Sequence, residues 1–304
     1  MAIVVVGSVA LDTVKTPKGT MSRGLGGSAL HFSNAASILH PIKLVGVVGD
    51  DFPAEGMTFF SEKGIDTVGL ERVSGKTFHW EGYYENDMSV AHTVNTELNV
   101  FAAFSPKIPD SYKKEKYLFL ANIDPVLQRS VLEAMGKLDC SVMDTMNYWI
   151  DTKKSDVLDV ISRVDIALLN DQEARSLTGE KNLIAAAKQL ITKGLTYAVI
   201  KKGEHGAIVV GKDEYFATVS FPVENVVDPT GAGDSFAGGL VSYLAHEKKL
   251  DGKTIRKAML YATAVASFNV EAFSIEGLRR VAKKDISSRI ERIRGITEVG
   301  EIRL

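Results

Sequence analysis

One cysteine in 304 residues excludes an intrachain disulfide and points to a reducing, cytoplasmic setting. That residue, Cys140, sits in the apolar run "LDCSVMD" and reads as a small buried hydrophobe rather than a nucleophile. Charge of one sign is also lacking. Thirty-six Lys and Arg against 38 Asp and Glu leave a net charge of −2, which gives no basic field for nucleic acid or an anionic membrane. No apolar run reaches the roughly 18 residues that a spanning helix needs. The opening "MAIVVVGSVALD" lacks a basic n-region, and Gly7 and Asp12 interrupt it, so it reads as a first buried strand rather than a leader. Low-complexity segments and clear repeats are missing too.

With 45% hydrophobic and 24% charged residues, the chain has the composition of a soluble globular enzyme with a large core. Its length allows one or two domains, and we read a single domain over 1–304. Short β-branched runs recur at 3–8, 42–49, 116–122, 140–144, 165–170, 197–203 and 207–211. Continuous apolar runs of this kind suit strands covered on both faces of a parallel sheet. Helical spacing over 124–138 and 182–194 lies between them. The alternation predicts an α/β fold, a doubly wound, mostly parallel sheet flanked by helices. Residues 70–103 break the pattern, being rich in Thr, Tyr, Phe and Val, with "TFHWEGYYE" alternating at period two and "END" as a turn. Together with the short polar segment 11–25 they predict a small β-sheet lid. The tail "KKDISSRIERIRGITEVGEIRL" reads as a charged, solvated helix.

The stretch "VVDPTGAGDSFAGG", residues 226–239, holds four glycines and two acids where a helix starts. Phe236, Leu240, Val241 and Leu244 share one stripe, so a buried helix starts here. A Gly-rich turn that opens a helix presents free amides and a dipole to an anion. No P-loop exists in the chain. The spacing G-x-G-x-x-G fails at Phe236, and the protein-kinase H-R-D and D-F-G landmarks are missing. Asp234 in the first turn is favoured as the ionised form by the dipole and could accept a proton from an attacking hydroxyl. The bland alternative is a helix cap beside a glycine turn.

"DPTGAGDSFAGG" closely resembles the C-terminal signature of the ribokinase (PfkB) family of carbohydrate and nucleoside kinases. Further landmarks follow the family's order: "VVVGSVALD", "GGSA" at 26–29, "LVGVVGDDFPAEG" at 44–56, "NDQE" at 170–173 and "KKGEHG" at 201–206. The resemblance implies a ribokinase-like fold with a β-lid and ATP- and Mg²⁺-dependent phosphorylation of an alcohol on a small molecule. It makes Asp234 the catalytic base and the amides of Gly231, Ala232 and Gly233 the anion hole, a division of labour that suits phosphoryl transfer. It assigns Asn170 and Glu173 to Mg²⁺ and its waters, although Asn followed by Glu at the third position is also an ordinary helix start. It implicates Lys201, Gly203 and Gly206 on the nucleotide side, with Thr230 and Thr263. Asp228 and Thr230 lie where some members hold a monovalent cation such as K⁺. Asp12 matches the acid that accepts substrate hydroxyls, and Gly26 and Gly27 match the substrate-side diglycine.

The chain departs from the pattern on the substrate side. His31 stands where many sugar kinases have Asn. The form D-P-N-x-R is missing: Asp144 is kept, no Arg follows, and Asn147, Tyr148 and Trp149 stand there instead. Phe78 and Trp80 share a face of the lid and could stack on a nucleobase or pack the lid, alone or in a lid-to-lid homodimer. The expectation is therefore an ATP-dependent kinase of a sugar or sugar-like alcohol. A nucleoside kinase is the alternative within the class, and a non-catalytic nucleotide- or sugar-binding regulator the alternative outside it.

Overall fold

The β-branched runs form strands because their residues are apolar on both sides, and both sides are covered. In the computed structural model, which describes residues 1–300, β1 (Ile3–Val6) turns Ile3 and Val5 into one apolar cluster and Val4 and Val6 into another. The first third of the chain continues with β2 (Ala10–Thr16), β3 (Gly19–Gly26), α1 (Ser28–Ala36), β4 (Ile42–Val48), α2 (Ala54–Glu62) and β5 (Asp66–Arg72). Then come β6 (Phe78–Tyr84), β7 (Ala91–Glu97), β8 (Tyr117–Leu120), α3 (Pro125–Ala134), β9 (Cys140–Asp144) and α4 (Asn147–Ile161). The rest is β10 (Ile166–Asn170), α5 (Asp171–Thr178), α6 (Leu183–Ile191), β11 (Tyr197–Lys201), β12 (Ala207–Val210), β13 (Tyr215–Thr218), α7 (Ala232–Glu247), α8 (Gly252–Asn269), α9 (Glu276–Arg279) and α10 (Lys283–Thr297).

Nine strands make one sheet in the order β13-β12-β11-β10-β9-β8-β1-β4-β5. Pairing is parallel from β11 to β5, and β12 and β13 add antiparallel. All seven β-branched runs lie in this sheet, as a doubly wound α/β fold requires. Helices α1, α2, α7 and α8 cover one face and α3 to α6 the other. All nine residues of α1 are buried, and Phe32 stacks on Phe119 of β8 with ring centroids 4.2 Å apart. Truncating Phe32 to Ala would cost about 3–5 kcal/mol. Cys140 lies buried in β9.

A second sheet, β3-β2-β6-β7, stands at the carboxyl end of the first. Its strands come from 10–26 and 78–97, so the expected span of 70–103 is too wide. Leu70, Glu71 and Arg72 pair with β4 in the main sheet, and residues 99–103 form a short 3₁₀ turn. The main sheet claims β5 because Gly69 approaches the β4 backbone closely and Tyr112 packs beneath it. The tail helix is also less solvated than its charge suggests. Ile286 and Ile293 are buried, and the Arg289 guanidinium lies 3.3 Å from the Phe268 ring centroid. Charged side chains with apolar stems cover such surface readily. Among the described residues no helix is long and apolar enough to cross a membrane.

Candidate active site

Residues 227–231 are pinned before α7 begins. The amides of Val227 and Asp228 donate to the Val270 carbonyl, and the buried Asp228 carboxylate accepts from Thr230 N (2.9 Å) and Ser274 N (3.4 Å). Gly231 then takes a left-handed conformation, φ +76°, with no side-chain cap on the helix. Glycine is required there, since a Cβ would collide with the His31 ring as well as strain the backbone. One expected donor is lost: the Ala232 amide is taken by the Pro229 carbonyl at 3.1 Å. The turn tightens onto itself at that residue, and the amides of Gly231, Gly233 and Asp234 are the ones left without a hydrogen bond to another described residue. These amides stand at the head of a 16-residue helix, where an anion is favoured, and that of Asp234 also faces its own carboxylate.

Asp234 sits in that first turn, yet its charge state is not the one the dipole alone predicts. Burial pushes its pKa up to about 8, and the nearby carboxylates of Asp144 and Asp12 add to the rise, with the Lys201 ammonium opposing. Desolvation outweighs a helix-end effect of about 0.3–1 kcal/mol. Asp12, 222 positions away in sequence, is thus among the charges that act on Asp234.

Asp12 on β2 is buried. Burial raises its pKa to about 7, the Gly27 amide donates to it at 3.4 Å and lowers it, and Asp228 raises it further. Gly26 lies against the Asp12 carboxylate so closely that any side chain would displace it. The diglycine thus seats the acid. His31, on the first turns of α1, is buried and its Nδ1 has no partner. Burial lowers its pKa to about 4, so the ring is neutral.

The carboxyl edges of β9, β10 and β11 supply the opposite wall. Asn170 and Glu173 form a reciprocal capping box on α5: Glu173 N donates to Asn170 Oδ1 at 2.8 Å and Asn170 N to Glu173 Oε2 at 2.7 Å. The ordinary helix-start reading is therefore realised, but Glu173 is also buried, and burial with the Asp144 charge raises its pKa to about 7. Lys201 Nζ donates to Asp144 Oδ2 at 2.7 Å. Gly203 and Gly206 shape the turn between β11 and β12, closed by Lys202 N to the Gly206 carbonyl at 2.8 Å. Asn147 opens α4, and its buried Oδ1 lacks a partner. Asp144 is the residue that reading motifs undervalued; its one signal was its survival at the end of an apolar strand without the rest of the D-P-N-x-R form.

Three of the expected residues have partners within the protein. The Thr263 hydroxyl is buried and donates to the Met259 carbonyl at 2.9 Å inside α8. Phe78 stacks on Phe101, centroids 5.3 Å apart, and Trp80 Nε1 donates to Thr93 at 3.1 Å with its ring over Gly82. Both aromatics are engaged in packing the small sheet. Thr230, just before the head of α7, donates from Oγ1 to the Tyr84 hydroxyl of β6 at 3.3 Å.

Unpaired amides at a helix N-terminus, a half-buried acid in its first turn and a second, buried acid on the small sheet, all at the carboxyl edge of an open α/β sheet, are the arrangement that phosphoryl transfer calls for. The chain matches the family described as pfkB family carbohydrate kinase over residues 2–276, and it belongs to that family. It is 31% identical over 253 residues to the cytidine kinase of Thermococcus kodakarensis, covering 82% of this chain and 90% of the relative. It is 27% identical over 247 residues to the ribokinase of Haemophilus influenzae, covering 78% and 77%. The Methanocaldococcus jannaschii nucleoside kinase, a member of the ribokinase family, superposes with a TM-score of 0.77 at 20% identity over 96% of this chain and 99% of its own. The protein is thus an ATP-dependent kinase of the class that acts on sugars and nucleosides.

Proposed function

We propose that the chain phosphorylates a hydroxyl of a nucleoside, with Asp234 as general base and the amides of Gly231, Gly233 and Asp234 as the anion hole. The observation that carries the mechanism is the coincidence of Asp234 with those free amides in one helical turn. A carboxylate pushed up to about 8 is a stronger base than a free one once ionised, and general-base work of this kind contributes roughly 10²–10⁴-fold. Asp12 accepts neighbouring ribose hydroxyls, and the orphan Nδ1 of neutral His31 offers one more hydrogen bond to the acceptor. The nucleoside is favoured over a free sugar by the cytidine kinase that matches most of this chain. Free sugar, the reading that the landmarks first suggested, remains the second outcome, because a ribokinase also matches.

Mg²⁺ fits the residues present. Among the described residues no cluster of three or more His, Cys, Asp or Glu could hold a metal directly. Buried Glu173 beside Asp144 is nevertheless a surplus of negative charge that a hydrated divalent ion would relieve. Glu173 and Asn170 would hold it through water, and it would neutralise charge on the phosphates. Asp228 already accepts two backbone amides, so a K⁺ site there would draw on carbonyls around it. The exposed Val90, Val94 and Leu98 at the outer edge of the small sheet support pairing of two copies. ADP release in the presence of cytidine, other nucleosides, ribose and polyols, with K⁺ or Na⁺, tests the reading. Stimulation by ribose and not by any nucleoside would move the acceptor to a free sugar.

A further inference from the structure

Lys201 is the last residue of β11, where the chain turns into an exposed hairpin. Its side chain does not follow the turn. It runs back beneath the head of α7, and Nζ lies 2.7 Å from Asp144 Oδ2 and 3.2 Å from the point where a Cβ on Gly233 would stand. The pair is largely enclosed, with side-chain exposures of 18% for Lys201 and 7% for Asp144. Asp144 is held in turn: its Oδ1 accepts the Thr145 amide at 2.8 Å and its carbonyl accepts Gln128 Nε2 at 2.9 Å. Gln128 also reaches the Ala121 carbonyl at 3.0 Å, so β8 and β9 are locked together behind the ion pair.

A buried ion pair is a weak way to stabilise a fold, because desolvation offsets the attraction. An ammonium also has three donors, and Lys201 directs one of them to Asp144. The others open beside Gly233, whose free amide belongs to the anion site. The same ammonium acts on Asp234 at the head of α7 and on Glu173 on its own wall. A compact point charge at this place suits a phosphoryl group whose charge spreads over three oxygens as it moves.

We propose that Lys201 is a catalytic residue, its ammonium binding the γ-phosphoryl oxygens of ATP together with the Gly233 and Asp234 amides, and that Asp144 is the positioning residue that holds it there. The proposal rests on the anion-hole reading above. It also explains Gly233, since a side chain there would press on the ammonium.

The test needs no acceptor. Mg²⁺·ATP and Mg²⁺·ADP are titrated calorimetrically into the parent, Lys201→Met, the double variant Lys201→Met/Asp144→Leu, and Gly231→Ala. Lys201→Met alone strands a buried carboxylate and can unfold, whereas the double variant removes both charges and should melt near the parent. The parent should bind ATP more tightly than ADP, and the double variant should lose that preference by roughly 10-fold or more while ADP affinity holds. A preference retained in the double variant but lost in Gly231→Ala, whose Cβ meets His31 rather than Lys201, overturns the Lys201 role and leaves the anion hole standing. A preference retained in all variants, or a parent that binds both nucleotides equally, overturns both.

Discussion

Thr230 and Tyr84, 146 residues apart, meet across the cleft: Thr230 Oγ1 donates to the Tyr84 hydroxyl at 3.3 Å. Two more bonds join the small sheet to the same neighbourhood, Thr16 Oγ1 to the Val227 carbonyl at 2.9 Å and Ser274 Oγ to the Leu25 carbonyl at 2.5 Å. The small sheet is therefore tied to the segments that flank the head of α7. Burial pushes Tyr84 up to about 12, so its hydroxyl stays protonated at working pH and can donate onward. Tyr84→Phe removes one hydrogen bond worth about 0.5–1.5 kcal/mol. The expected result is a rise of roughly 2- to 10-fold in acceptor KM, with ATP affinity unchanged. Steady-state kinetics varying each substrate separately would show it; an equal rise for ATP would argue that the tie serves the nucleotide instead.

Asp234→Asn should keep ATP binding and lower turnover by about 10²–10⁴-fold. The same change should raise the melting temperature of the ligand-free protein. The native state holds a carboxyl whose ionisation burial and Asp144 oppose, and the amide removes that conflict. Paired ADP-release and melting measurements check both halves. Unchanged turnover removes Asp234 from the mechanism, and a fall in melting temperature would show that its carboxylate stabilises the fold.

The pH dependence has two opposite signs. Asp12, Glu173 and Asp234 have pKa values raised to about 7, 7 and 8, against about 4 in the unfolded chain. Each binds its proton more tightly when folded, so the stability it contributes is fully present below about pH 4 and is lost as pH rises through 7–8. The ligand-free protein should melt progressively lower from pH 5 to pH 8.5, and Asp234→Asn should show a shallower slope. Activity should run the other way. A base must be ionised, so kcat/KM should climb with pH through about 8. A profile flat from pH 6 to pH 9 would contradict the assignment.

The phosphate half of the site was legible in the sequence because its chemistry is carried by backbone. Glycines at fixed spacing ahead of an apolar stripe announce a turn and a helix, and the free amides follow from geometry. The bond from the Ala232 amide to the Pro229 carbonyl was not legible, because it is a matter of turn geometry rather than residue type. The main sheet was legible for the same local reason, continuous apolar runs. Pairings distant in sequence were not. Phe78 of the small sheet found Phe101, and Lys201 on the nucleotide side found Asp144, through contacts 23 and 57 residues apart that no local pattern encodes. Thr263 looked available by position on its helix and is spent inside it.

His31 and Gly231 provide the last test, since the ring occupies the space that a side chain on the glycine would need. Gly231→Ala should meet two obstacles: the left-handed conformation, costing about 1–2 kcal/mol for a residue with a Cβ, and the collision with the imidazole. His31→Ala in the same chain removes the collision and leaves the conformational cost. The double variant should therefore melt above Gly231→Ala alone, yet remain well below the parent in turnover. His31→Leu, which fills the space without a polar atom, should separate packing from recognition. If the orphan Nδ1 serves the acceptor, acceptor KM rises by roughly 10-fold while the melting temperature holds within a few degrees. If acceptor KM holds instead, His31 is a spacer for Gly231, and acceptor recognition rests on Asp12 without it.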